Sequence, residues 1–284
     1  MEIIAHRGAS GAYPEHTLLA YEKAVEQNAD GVECDIRMTA DGHLLCFHDR
    51  TLNRTTDGFG LVSTTSIDKI RTLNAGTWED PQPVLEFDTF LEFVEANPNL
   101  SVFIETKHPV RYGLDLERKL AERLRHHGLA RDKRVHVISF ATRSVAATRS
   151  LLPRIDSIQL VKKPGGRTAA RRMAGRPTHM GVAMAGARSD PAGLASWKKK
   201  VYCWLARTDD DVRYATAMGI NWLATDWPAH ARKVMHEQLL DPAGPAVAEL
   251  TEGVVEEIPE TVLKAVEDTS MGTPEAGPGR ATAA

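Results

Sequence analysis

Eight short apolar runs recur along the first 240 positions, and most are followed by a helical pattern. The runs cover 2–6, 31–36, 101–106, 135–139, 156–161, 179–184, 200–205 and 221–225. Helical spacing of apolar residues predicts helices over 17–28, 88–96, 114–127, 142–150, 191–198, 209–218 and 228–239. Alternation of this kind predicts a parallel sheet with helices packed outside it. Eight such units in about 240 residues fit a closed (β/α)8 TIM barrel. The competitor is an open doubly wound sheet, whose dinucleotide-binding form is disfavoured because no G-x-G-x-x-G follows the first run.

One segment breaks the alternation. Residues 43–48 (HLLCFH) also read as a strand, yet the gap after Ile36 is too short for a parallel crossover, which needs about a dozen residues or more. Asp41-Gly42 is a turn signal, so 43–48 is expected to return antiparallel at the rim, outside the count of eight. Residues 49–85, rich in Thr, Asp, Gly and Pro, then form an insertion after strand two, with one helical pattern from Ser66 to Leu73. An excursion of this size at the rim of a barrel usually shapes access to a site. From Asp241 the chain turns acidic, lacks aromatic residues and is rich in Ala, Pro and Gly. The expected organisation is therefore a barrel over 1–240 and a disordered tail over 241–284, with a short helix near 259–267.

Charge and cysteine content narrow the picture further. The net charge of −3 gives no reason to expect a nucleic-acid partner. Nine acidic residues against Lys264 and Arg280 give the tail a charge of −7 and leave the barrel at +4, which suits an anionic small molecule. Cys34, Cys46 and Cys203 have no metal-ligand spacing and sit within apolar runs, as buried thiols in a reducing compartment would. Neither a secretory signal nor an apolar stretch of about 18 residues is visible, so the chain reads as cytoplasmic, without a stable membrane anchor.

The reactive side chains cluster at the ends of the early apolar runs. In a strand, residues i and i+2 share a face, so Glu33 and Asp35 point to one side and Val32, Cys34 and Ile36 to the other. Two inward acids need a cation, an Arg or Lys partner, or water at the rim. Glu105 and Lys107 repeat the geometry on the next strand. Three carboxylates without a thiolate favour Mg2+ or Ca2+ over zinc, and Lys107 is placed either to hold an anion or simply to balance the acids. His6 ends the first strand and His48 the return strand. As a pair they suit acid/base chemistry, while each alone also suits a structural hydrogen bond. Arg7 has the planar fork that grips phosphate, and Gly8 and Gly11 are expected to let the loop run close to a ligand. His179, His230 and His236 show no partner in the sequence, and His126, His127 and Lys198 to Lys200 read as solvated.

The segment HRGASGAYPEHTLLAYEKAVEQNADGVECDIRMTADGHLLCFHDRTLNRTTDG resembles the N-terminal signature of the glycerophosphodiester phosphodiesterase family: HRG, PE(N/H)T, E-x-D, then HD with an L-x-R-T-T tail. FIETK (103–107), VISF (137–140) and LATDWP (223–228) extend the likeness to about residue 238. The resemblance implies a TIM barrel with a small insertion after strand two. It also implies metal-dependent hydrolysis of glycerophosphodiesters to sn-glycerol 3-phosphate and an alcohol, a step of lipid and glycerol metabolism. On it, Glu33, Asp35 and Glu105 would hold one divalent cation, and His6 and His48 would be the catalytic acid/base pair. Arg7 and Lys107 would bind phosphate, Glu15 would lie beside the metal and His6, and Trp204 would line the glycerol side. Two positions depart from the family pattern: His16 where many members have Asn, and CWLAR (203–207), with Arg207 where Asn is common. A lysophospholipase D using the same residues, and a phosphodiester-binding barrel without turnover, are the alternatives.

Overall fold

The computed structural model describes residues 1–165 and 173–240; the tail from 241, with the helix expected near 259–267, lies outside the described residues. Among the described residues nine strands form: β1 (Glu2–His6), β2 (Gly31–Met38), β3 (Leu44–Cys46), β4 (Ser101–Thr106), β5 (Val135–Ser139), β6 (Asp156–Val161), β7 (His179–Ala183), β8 (Val201–Ala206) and β9 (Trp222–Thr225). All except β3 are parallel, in the order β1-β9-β8-β7-β6-β5-β4-β2, and the β1–β2 pairing closes the ring. The closed eight-stranded parallel barrel expected from the alternation is the observed fold. β3 pairs antiparallel with the far end of β2, Ile36 opposite Cys46, as a rim return strand.

Alternation along the strands sorts side chains between two apolar layers. Ile4, Phe103, Ile138, Ile158, Leu160, Tyr202, Trp222 and Ala224 fill the barrel interior. Val32, Cys34, Ile36, Val102 and Ile104 face outward, against Tyr21 and Ala24 of helix Leu18–Glu26 and Phe87, Phe90 and Val94 of helix Phe87–Ala96. The first helix starts where the Thr17 side chain accepts from the Ala20 amide, satisfying a donor that the first turn would leave unpaired. Residues 191–198, expected as one helix, instead carry helix Pro191–Ala195, after a separate short helix Met184–Ser189. The two meet at Asp190, whose side chain caps the second by accepting from Gly193.

The insertion has a small core of its own. Leu52, Val62, Ile67, Ile70, Leu73 and Val84 pack on Leu45 and Phe47 of the return segment. That core roots the insertion at the mouth where the parallel strands end, the face on which barrels of this type place reactive groups. Among the described residues no helix is long and apolar enough to cross a membrane.

Candidate active site

β1, β2 and β4 deliver their last inward side chains to one spot. Asp35 is in register with Glu105, and His6 with Glu33. Glu33, Asp35 and Glu105 are buried, and one oxygen from each lies within 4.8 Å of the others. Lys107 reaches across, its Nζ 2.7 Å from Asp35 Oδ1 and 2.9 Å from Glu105 Oε1. Arg7 places Nε 3.2 Å from Asp35 Oδ2 and donates its backbone N–H to Glu33 Oε2 at 3.1 Å. Three acids thus face two cations, and Arg7 is shared with Glu15, so negative charge is in excess.

The protonation preferences follow from that imbalance. Burial, with Asp35 beside it, pushes Glu33 well above the usual carboxylate range. Burial lifts Glu105 to about 7 against the pull of Lys107. Burial also works against the charge on Asp35, but Lys107, His16 and Arg7 outweigh it and hold Asp35 well below the usual range. A divalent cation would relieve the excess. Three clustered carboxylates, without a thiolate, have the donor chemistry of a hard ion.

Two non-glycine residues adopt left-handed backbone here, Arg7 at φ 59° and His16 at φ 57°. Both reach the same atom, Asp35 Oδ2, with His16 Nε2 at 3.0 Å. Left-handed conformations cost energy and persist where surrounding contacts impose them. His16 Nδ1 lies 2.8 Å from the Tyr21 hydroxyl, and burial lowers the pKa of the ring. A neutral ring has one proton. On Nε2 it serves Asp35, which leaves Nδ1 as an acceptor beside the Tyr21 hydroxyl, a group that also lies 3.2 Å from the Glu33 carbonyl. Histidine at this position is therefore a buried support for Asp35.

Each of the two histidines expected as the acid/base pair is backed by an aspartate. His6 Nδ1 lies 2.7 Å from Asp226 Oδ1, just past β9, and Ser10 Oγ donates to the same carboxylate. His48 Nδ1 lies 2.6 Å from Asp49 Oδ1. A carboxylate only accepts, so each ring carries a proton on Nδ1, which turns Nε2 towards the reacting groups. Burial lowers His48 to about 4, more than Asp35 and Asp49 raise it, and the ring is neutral at pH 7. Sequence reasoning gave neither aspartate a role. Asp49 was legible in the His-Asp step; Asp226 stands in LATDWP but meets His6 only through barrel closure.

Other expectations change. Gly8 and Gly11 make room for protein: a Cβ on Gly8, at φ 85°, would sit 2.6 Å from the Ala20 backbone, and one on Gly11 would strike the Trp227 ring. Glu15 spends its oxygens on Arg7 Nη1 at 3.0 Å and on Arg54 Nη1 and Nη2 at 2.7 and 2.8 Å, and lies outside the carboxylate cluster. Trp204 sits within β8, edge-on to Phe140 with centroids 5.3 Å apart. His179 and His230 do have partners, Asp156 at 3.5 Å and Asp209 at 2.7 Å, while His127 is tied to Glu95 and Lys199 to the carbonyls of Pro177 and Thr178. His108 is a structural partner of Glu117 at 2.6 Å, and all three cysteines are free and buried. A hollow of about 800 Å³ opens at the opposite end of the barrel from the carboxylate cluster, by Glu2, Asp30 and Arg232.

The sequence model of the Glycerophosphoryl diester phosphodiesterase family matches residues 6–230. The chain is 36% identical over 248 residues to the Mycobacterium tuberculosis protein named "Probable glycerophosphodiester phosphodiesterase 1", covering 81% of this chain and 90% of that one. A glycerophosphodiester phosphodiesterase from Agrobacterium tumefaciens matches with TM-score 0.65 and 26% identity, over 82% of this chain and 99% of that chain. An Oleispira antarctica phosphodiesterase, solved in complex with the product sn-glycerol-3-phosphate, has the same fold, with TM-score 0.76 at 22% identity over 83% of this chain and 97% of that one.

Proposed function

Because the chain belongs to the glycerophosphoryl diester phosphodiesterase family, we propose that this hydrolase cleaves water-soluble glycerophosphodiesters to sn-glycerol 3-phosphate and an alcohol, using His6 and His48. The observation that carries the reading is a pair of aspartate-backed histidines beside three buried carboxylates, at the mouth where the strands end. The product seen with the Oleispira antarctica enzyme supports the same substrate class.

Glu33, Asp35 and Glu105 would hold one divalent cation, Mg2+ or Ca2+, which when bound supplies positive charge against the phosphoryl oxygens. Arg7 and Lys107 add fixed positive charge to the same place. One histidine, neutral, accepts at Nε2 the proton of the attacking oxygen; the other, carrying protons on both ring nitrogens, donates the one on Nε2 to the alcohol as its P–O bond breaks. Asp49 and Asp226 hold the rings in the tautomer that points Nε2 at the reaction. Water and a glycerol hydroxyl are both attackers that this pair serves. Action in the cytoplasm belongs to the same reading and fits three unpaired thiols.

A lysophospholipid substrate is the second reading. It is favoured by Phe59 and Trp78, which are 82% and 84% exposed on the insertion. Arg207, exposed just past β8, bears on the head group. Turnover of glycerophosphocholine, glycerophosphoethanolamine, glycerophosphoglycerol and glycerophosphoinositol is expected within about tenfold in kcat/KM, a spread of ~1.4 kcal/mol. Chelator is expected to abolish it, and Mg2+ or Ca2+ to restore it. Full activity in excess chelator refutes the cation. A long-chain lysophospholipid preferred over every soluble diester moves the assignment to a lysophospholipase D. Strict preference for glycerophosphoinositol, relaxed by Arg207→Ala, makes Arg207 a head-group selector.

A further inference from the structure

The segment that follows His48 folds back on the site. Leu52 is buried in the core of the insertion, and Thr56 closes a turn, its amide and its hydroxyl both donating to the Leu52 carbonyl at 3.1 and 2.8 Å. Arg54 stands at the crest of that turn. Its Nε lies 2.6 Å from Asp49 Oδ2, the oxygen that His48 does not use. Its two Nη groups hold both oxygens of Glu15, whose Oε1 also accepts from Arg7. Arg7 in turn touches Asp35. One unbroken path of charged contacts thus runs from His48 through Asp49, Arg54, Glu15 and Arg7 to the carboxylate cluster.

The path matters because the Asp49 carboxylate is short, partly exposed and next in sequence to the ring it serves. Nothing in adjacency alone keeps it there. Asp49 and Glu15 are both anions, and Arg54 is the group that binds the two together. A guanidinium does this with one planar fork, Nε to one carboxylate and two Nη to the other; a lysine ammonium has no such fork. Asp49 is held down to about 2, first by the Arg54 hydrogen bond, consistent with a carboxylate fixed in its charged form.

We propose that Arg54 is a positioning residue for the hydrolysis: by clamping Asp49 and Glu15 together it fixes the Nδ1–H tautomer and orientation of His48 relative to the carboxylate cluster, which makes the insertion part of the catalytic apparatus. The proposal rests on the reading of His48 as an acid/base group. In the signature L-x-R-T-T, Leu52 then anchors the turn, Thr56 closes it and Arg54 makes the bridge.

Full-length wild type, Arg54→Ala, Arg54→Lys, Asp49→Asn and His48→Ala test it. Kinetics with glycerophosphocholine are read beside imidazole 15N shifts of His48 and thermal unfolding. Arg54→Ala is expected to lose about 10–100-fold in kcat, the range for groups that orient a histidine through its second nitrogen. KM is expected to move less than about threefold, because no substrate contact is removed. Arg54→Lys, which keeps the charge without the fork, is expected to regain only part of kcat. The 15N shifts are expected to show Nδ1–H in wild type and a mixture of tautomers in Arg54→Ala and Asp49→Asn, which loss of stability alone would not produce. Wild-type kcat in folded Arg54→Ala, or an unchanged His48 tautomer in it, overturns the proposal. Should Arg54→Ala fail to fold, wild-type kcat and tautomer in Arg54→Lys overturn it. Near-native turnover by His48→Ala brings down the acid/base reading itself; an inactive His48→Ala beside a fully active Arg54→Ala brings down only the role of Arg54.

Discussion

Replacing Glu33 by Gln removes one negative charge from a buried cluster that has too many, while keeping the shape and the oxygen that accepts from the Arg7 amide. At separations up to 4.8 Å, each like-charge pair costs about 3–4 kcal/mol at an effective dielectric of about 20. Glu33 faces two such neighbours, Asp35 and Glu105, and two cations, Arg7 and Lys107, so the pair terms roughly cancel. What remains is the desolvation of a buried carboxylate, several kcal/mol even after relaxation, part of which the wild type sheds by binding a proton. The sign follows from linkage. A carboxyl whose folded pKa lies above its unfolded value destabilises the fold at every pH above the unfolded value, and Gln imitates the protonated form. In chelator at pH 7, Glu33→Gln is therefore expected to be more stable than wild type by about 1–3 kcal/mol, or about 3–10 °C in Tm for a domain of this size. Most buried polar substitutions go the other way. With Mg2+ at a hundredfold its Kd, wild type is expected to gain about 2.7 kcal/mol and the variant far less, so their order reverses or closes. Thermal unfolding of both proteins, with and without Mg2+ or Ca2+, reads this directly. A variant that melts below wild type in chelator and keeps the full wild-type metal response refutes the charge argument and removes Glu33 as a ligand.

His6→Ala and His48→Ala are each expected to lower kcat by about 10²–10⁴-fold, with the double variant far from additive because the pair acts as a unit. Near-native turnover in either single variant makes that histidine structural. At the other end of the barrel, burial lowers His136 to about 4, more than nearby Asp156 raises it, and its ring stacks on Phe103 at 4.5 Å. The unfolded chain binds that proton near pH 6.5, so stability is whole above that value, falls as pH drops towards 4, and levels below it, by about 3 kcal/mol in all. His136→Phe is expected to flatten this part of the stability–pH curve in urea unfolding, and parallel curves for the two proteins would show that His136 is not its source.

Local pattern carried most of the barrel. A strand's two-residue period makes inward and outward faces readable from one sequence, which is why Glu33 and Asp35 separate from Val32, Cys34 and Ile36 without coordinates. The short gap and the Asp41-Gly42 turn made 43–48 antiparallel, because a parallel return cannot be made in so few residues. The family signature joined His6, Glu33, Asp35 and His48 within one stretch of chain, and the short steps between neighbouring strands keep those residues close in space. Asp226 was beyond such reasoning: it backs His6 only because β9 pairs with β1 across the seam of the ring, 220 positions away in sequence. Arg54 was beyond it for a different reason. Its sequence marks a turn, but which carboxylates a long side chain bridges is settled by where the insertion's own core seats that turn. The same holds for the glycines of the first loop, whose need for space is set by Ala20 and Trp227. Sequence by itself determined which groups are available and on which face of a strand they lie, since that depends on local periodicity. Tertiary structure decided their partners and protonation, since charge–charge energies and desolvation depend on distances that only ring closure and packing set.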